Sequence, residues 1–172
     1  MGTPSGEKDH LMYFIRDALL TGTVNGRNHQ LKAVSGGRAG SKKPGAVDEK
    51  LANNPFATSV KMDEFTKSPG GPIPCGRYRS IVHPTRANWL RLEMVEVPGH
   101  HGKGPRALLF PAKERRSGFA IHGRGQRGSD GCIVPLDFNQ LLALIADVRA
   151  AGSASLWVVA GDLSLTPGLT LA

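Results

Sequence analysis

Phe119-Ala-Ile-His-Gly-Arg-Gly-Gln-Arg-Gly-Ser-Asp-Gly-Cys-Ile-Val-Pro135 is the stretch on which the reading of this chain turns. Successive residues of a strand point to opposite faces. Phe119-Ala-Ile-His122 therefore reads as a strand end with Phe119 and Ile121 on one side and His122 on the other. A nine-residue loop with four glycines follows, then Cys132, one of only two cysteines in the chain, and Ile133-Val134 returns to the core. A thiol becomes a thiolate near neutral pH when a base stands beside it, and histidine is the usual base. A glycine just before the nucleophile leaves room for backbone N–H groups to approach a substrate carbonyl, as an oxyanion hole requires. Taken singly, a cysteine between Gly131 and Ile133 reads as a small buried hydrophobe, and His122 as a core residue with one hydrogen bond. Taken together, with this spacing, they read as a nucleophile and its base.

The same segment resembles the catalytic motif of the L,D-transpeptidase (YkuD-type) family: a histidine, a variable gap, then Ser/Thr-His-Gly-Cys. The matching residues are His122, Ser129, Gly131 and Cys132. The gap is shorter than in housekeeping members, Asp130 stands where the second histidine is usual, and Val134 replaces the arginine that commonly follows Gly-Cys-Ile. These departures resemble a divergent branch, the L,D-transpeptidase-like toxins delivered by bacterial type VI secretion. Ala33-Val-Ser-Gly36 and Gly71-Pro-Ile-Pro-Cys-Gly-Arg-Tyr78 add to that likeness, in the same order along the chain. The resemblance covers residues 11–161 and rests on short motifs.

The resemblance implies a mostly β fold, a closed or half-closed sheet (sandwich or barrel) with one packed helix. It implies Cys132 as nucleophile, His122 as base, and the N–H groups of Cys132 and Gly131 as oxyanion donors. A backbone carbonyl near Gly123 would orient His122, and Ser129 would bond within the loop. Asp130 would pair with an arginine or with His122, and the residues do not separate these. Ser35, Tyr78, Arg124 and Arg127 are the candidate substrate contacts. The implied substrate is a peptidoglycan stem tetrapeptide, with loss or exchange of the terminal D-alanine. No cofactor or metal is implied. The partners it implies are an immunity protein and components of the secretion machine, with action in the periplasm of target cells.

Length and composition set limits. At 172 residues the chain reads as one domain with a proper core, and 22 glycines with 12 prolines point to many turns and few helices. The expected division is a loose segment 1–10, a catalytic domain 11–163 and a tail 164–172. Two cysteines, Cys75 and Cys132, do not make a disulfide framework; they could pair only if the fold brought them together, and a pair would disable the nucleophile, so both are expected reduced, with Cys75 structural. The net charge of +8 calls for an acidic partner, and arginines near the loop would steer stem-peptide carboxylates. No helix carries a basic face interleaved with aromatics, so nucleic acid is not the expected partner. No stretch has the roughly 20 apolar residues of a membrane span, and no export signal is visible. His100-His101 has no cysteine or carboxylate cluster beside it to complete a metal site.

Along the chain, residues 11–15 and 18–24 read as strands, and Asn25-Gly26 as a type I′ turn leading to a partner strand at 31–34. From 38 to 71 a long insertion, with one helical turn near 47–51, reads equally as a lid over the cleft or as a plain loop. Strands are expected at 77–82, 89–97, 107–110 and 155–160. Asp137 is a good helix N-cap, and Phe138, Leu141, Leu142, Ile145 and Val148 form an apolar stripe that Gly152 ends. Two rival readings stand beside the toxin: a housekeeping transpeptidase that cross-links peptidoglycan, and a non-catalytic peptidoglycan-binding module. A nucleic-acid binder is a third, and it would show steep salt dependence.

Overall fold

The computed structural model describes residues 8–37, 50, 52–55, 70–96, 118–123, 129 and 131–161. In chain order these form β1 (His10–Phe14), β2 (Leu19–Val24), β3 (Arg27–Ser35), β4 (Gly76–Val82), β5 (Trp89–Glu96), β6 (Ala120–His122), β7 (Ile133–Pro135), a helix α1 (Phe138–Ala151) and β8 (Ala154–Val159). The strands close into a barrel in the order β1-β2-β3-β7-β6-β5-β4-β8. The expected mostly β fold with one packed helix is therefore present, and the sheet is fully closed. The expected strand at 107–110, His100 and His101, most of the 38–71 insertion and the tail lie outside the described residues.

The opening hairpin follows from its turn. Asn25 and Gly26 have φ of 52° and 73°, the twist that lets two strands pair without splaying. Pairing then starts at once, Val24 with Arg27, and continues to Leu19 with Lys32, so β3 begins four residues earlier than apolar content alone marks. Around the barrel one side of each strand turns inward. Leu11, Tyr13, Leu20, Leu31, Tyr78, Leu90, Ile121, Ile133, Leu156 and Val158 are all buried. Each such leucine or isoleucine contributes about 2 kcal/mol on leaving water.

Helix α1 is capped as its sequence dictates. The Asp137 carboxylate accepts from the N–H groups of Asn139 and Gln140 at 2.9 and 3.1 Å, and the Gly152 N–H donates to Val148 O. The buried stripe is Leu141, Leu144, Ile145 and Val148, whereas Leu142, placed in the stripe by the sequence, is 36% exposed. Both sets obey helical spacing, and the packing chooses between them. The helix touches β2, β3 and β7 and also β4, which stands diametrically opposite β3 in the ring. It therefore crosses one end of the barrel and plugs it, and Leu144 faces in.

A polar latch holds that plug. His29 shares the inward face of β3 with Leu31 and is 9% exposed. Its Nε2 lies 2.8 Å from Asp147 Oδ2 on α1. Asn25 Nδ2 donates to Asp147 Oδ1 at 3.3 Å, and Arg27 stands 3.8 Å from it. Burial raises the Asp147 pKa, but the hydrogen bonds from Asn25 and His29 and the charge of Arg27 outweigh it and hold the carboxyl below its usual range.

Candidate active site

The site begins with a register. β6 and β7 are parallel neighbours, with Ile121 beside Ile133. Both isoleucines point into the core, so alternation turns His122 on β6 to the opposite face, while Cys132 stands one residue ahead of Ile133 at the entry to β7. Ideal strand spacings put their Cα atoms about 8 Å apart, two residues along and one strand across. Both side chains are half-buried.

His122 is held on two sides. Its Nδ1 lies 3.3 Å from the carbonyl oxygen of Gly123, so an Nδ1–H donor leaves Nε2 with its lone pair exposed. The Trp89 ring stacks on the imidazole, with centroids 4.1 Å apart and planes 15° apart. Burial pushes the His122 pKa down; the Gly123 carbonyl raises it, and the positive charge of Arg86 lowers it further, for a net downward shift. The neutral imidazole, the form able to accept a proton, therefore persists to lower pH than in free histidine. A cavity of about 280 Å³ adjoins it, lined by Ala87, Asn88, Trp89, Gly123 and Phe138.

Three segments far apart in sequence meet at the loop before Cys132. Ser129 Oγ donates to Cys132 O at 2.6 Å and accepts from Gly36 N at 3.0 Å, while Ser129 N donates to Gly36 O at 3.3 Å. Ser35 Oγ donates to Gly131 O at 2.9 Å and accepts from Ile73 N at 2.9 Å. Gly37 N reaches Gly70 O at 2.8 Å. Gly36 has φ 76°, and a Cβ there would overlap the backbone of Gly71 and Pro72, so only glycine lets these strands of chain touch. Asn53 closes the knot from the insertion. Its Oδ1 accepts from Ser35 N at 3.0 Å, and its Nδ2 donates to Tyr13 OH and Ile15 O at 2.8 and 2.6 Å.

These contacts correct several sequence readings. Ser35, a candidate substrate contact by sequence, is fully buried with its hydroxyl bonded to Gly131 and Ile73, so it braces the loop. Tyr78 is 1% exposed; its hydroxyl donates to Pro74 O at 2.8 Å and its ring meets Phe119 edge-on, which makes it a packing residue. The Gly131 N–H, read as an oxyanion donor, turns toward Ser129 Oγ at 3.4 Å. Gly131 has φ 124°, a backbone shape that side chains resist. Arg124, Arg127 and Asp130 lie outside the described residues. Trp89, Arg86 and Asn53 were not read as site residues. The one local sign for Trp89 is the alternation of its strand, which puts it on the side opposite Leu90.

Ser129→Ala is expected to take the hydroxyl partner from Cys132 O and Gly36 N. It should cost about 2 kcal/mol of stability, read by urea unfolding. Neither cysteine is in a disulfide. Burial pushes the Cys75 thiol up, against a smaller opposing effect of its own backbone N–H. Iodoacetamide at pH 7 is therefore expected to label Cys132 at least about 10-fold faster than Cys75, by peptide mass spectrometry.

Fold and site together define a closed eight-stranded β-barrel, plugged by a helix, with a histidine ending one strand and a cysteine just ahead of the parallel strand beside it. No protein-family model matches the chain, and no curated protein sequence matches it. Among the described residues, no group of three or more His, Cys, Asp or Glu side chains gathers to hold a metal. Among them too, no helix is long and apolar enough to cross a membrane.

Proposed function

We propose that the protein is a cysteine-dependent peptidoglycan-modifying enzyme. It acts on stem tetrapeptides as an L,D-carboxypeptidase and D-amino-acid exchanger, in the manner of L,D-transpeptidases. The observation that carries this reading is the pairing of Ile121 with Ile133, which brings the segments carrying His122 and Cys132 side by side. Support comes also from the Gly123 carbonyl beside Nδ1, which leaves Nε2 as the proton acceptor.

In this mechanism Nε2 of His122 takes the proton of the Cys132 thiol. The Sγ atom attacks the carbonyl carbon at the L-centre of meso-diaminopimelate, and the carbonyl electrons move to oxygen. When the oxyanion collapses, the bond to the D-alanine nitrogen breaks, and that nitrogen leaves with the proton held by His122. The thioester then meets water, whose proton goes to His122 as the carbon–sulfur bond breaks. The product is a tripeptide and the thiol is restored. A D-amino acid in place of water gives exchange, and a second stem peptide gives a cross-link. Loss of cross-linkable tetrapeptide weakens a wall, so the role we infer is that of an antibacterial toxin. It would be delivered by type VI secretion into the periplasm of target cells and restrained in its producer by an immunity protein.

The test is mass spectrometry of disaccharide tetrapeptides incubated with the protein, with and without an added D-amino acid. Release of D-alanine, or its replacement, is the expected result. An unchanged tetrapeptide, together with an untouched cross-linked dimer, would falsify the enzymatic reading.

A further inference from the structure

Trp89 is placed by the pairing of β5 with β6, in which it is the direct partner of His122. The indole covers one face of the imidazole. Arg86 lies over the same indole, its Cζ 4.5 Å from the ring centroid. Two groups centred this close over one face would overlap, so guanidinium and imidazole sit on opposite faces of Trp89. The turn carrying Arg86 is itself fixed. His83 Nδ1 accepts from the N–H groups of Thr85 and Arg86 at 3.2 and 3.0 Å. The His83 N–H donates to Trp89 O at 2.9 Å, and its ring meets Trp89 edge-on at 6.1 Å. Asn88 takes φ 62° to bring the chain back into β5.

We propose that Arg86 and Trp89 are positioning residues for His122, a stacked pair that fixes the imidazole plane for work with Cys132. This rests on the reading of His122 as the base for Cys132. The stack removes one rotational freedom of the ring and the Gly123 carbonyl the other, so Nε2 keeps one direction. The electronic effect follows from the ring quadrupole. An indole face stabilises a cation stacked on it, but here Arg86 already draws on that electron density from the far side. A second positive charge on His122 is thereby disfavoured. Besides Arg86, the titratable or charged described groups on elements packed against His122 include His83 on the same turn, Arg91 and its partner Glu93 on β5, Cys132 beside β7, Asp137 at the start of α1, and Asp147 and Arg149 further along that helix.

The experiment follows alkylation of Cys132 by iodoacetamide across pH, read at the peptide level with Cys75 as internal control. Nitrogen NMR of the His122 ring accompanies it, in the full chain and in Trp89→Ala, Trp89→Phe and Arg86→Gln. Trp89→Ala is expected to slow Cys132 labelling about 10- to 100-fold at neutral pH, the cost of a misdirected base, while Trp89→Phe keeps most of the rate. Arg86→Gln is expected to move the acid limb of the labelling profile, and the His122 titration, to higher pH, since the removed charge had disfavoured the imidazolium. Unchanged rates and ring signals in Trp89→Ala overturn the proposal. So does equal loss in both tryptophan variants with a lowered melting temperature, which makes Trp89 a packing residue only. Alkylation needs no peptidoglycan. A wild type that labels as expected but leaves tetrapeptide intact therefore sinks the proposed function alone, whereas one that trims tetrapeptide indifferently to Trp89 sinks only this inference.

Discussion

Cys132→Ala is expected to reduce release of D-alanine from a disaccharide tetrapeptide by about 10,000-fold or more, while leaving the melting temperature within about 2 °C of wild type. The first half follows from chemistry, because a methyl group has no electron pair to form the thioester and water is a far weaker attacker. The second half follows from what holds the loop. Hydrogen bonds through Ser129, Ser35, Gly36 and Gly131 brace it, and the one from Ser129 meets Cys132 at its backbone carbonyl, which alanine keeps. The cysteine side chain is half-buried, so its loss opens no large cavity. Cys132→Ser is expected to be nearly as inactive, since a hydroxyl loses its proton to imidazole far less readily than a thiol. A Cys132→Ala protein that still inhibits growth of target cells would count for the binding-module reading against the enzyme.

Asp147→Ala is the largest expected effect on stability, about 3 kcal/mol by urea unfolding. Removing the carboxylate leaves His29 facing a buried gap on β3, and takes from Asn25 and Arg27 their common partner. The damage reaches the plug of the barrel, because this cluster joins α1 to the β2–β3 hairpin. The pH dependence has a definite sign. The folded carboxyl titrates below its ordinary value of 3.8, so its contribution is complete above that pH and is lost as the pH falls through the folded value. Wild type should lose stability on acidification below about pH 4 more steeply than Asp147→Asn, which lacks the titrating group. Equal acid sensitivity in the two proteins would show that other carboxyls govern it.

The strands were legible wherever one face was buried and the other wet. Trp89 to Glu96 alternates, and Leu90 and Leu92 are indeed the inward residues. The helix was legible by its ends, Asp137 and Gly152, but its rotation was not, since Leu142 and Leu144 both satisfy the spacing. Ser35 and Tyr78 read from sequence as substrate contacts, yet their side chains turn into the interior as braces, a difference set by the partner each hydroxyl finds. His29 and Asp147 are 118 residues apart. Nothing local marks them as a pair, although His29 falls on the inward face of its strand.

By itself the amino-acid order determined the alternation that makes strands, the Asn25-Gly26 turn, the capped helix and the candidate pair His122 and Cys132, all of which rest on contacts within a few residues. Only the tertiary structure decided that the sheet closes, that β6 lies parallel to β7, and that Trp89 stacks on His122. It alone brought Asn53, Gly36 and Ile73 to the loop at Ser129. Those are pairings between distant segments, chosen by which faces bury together and which backbone groups find partners, and no short window of sequence carries that choice.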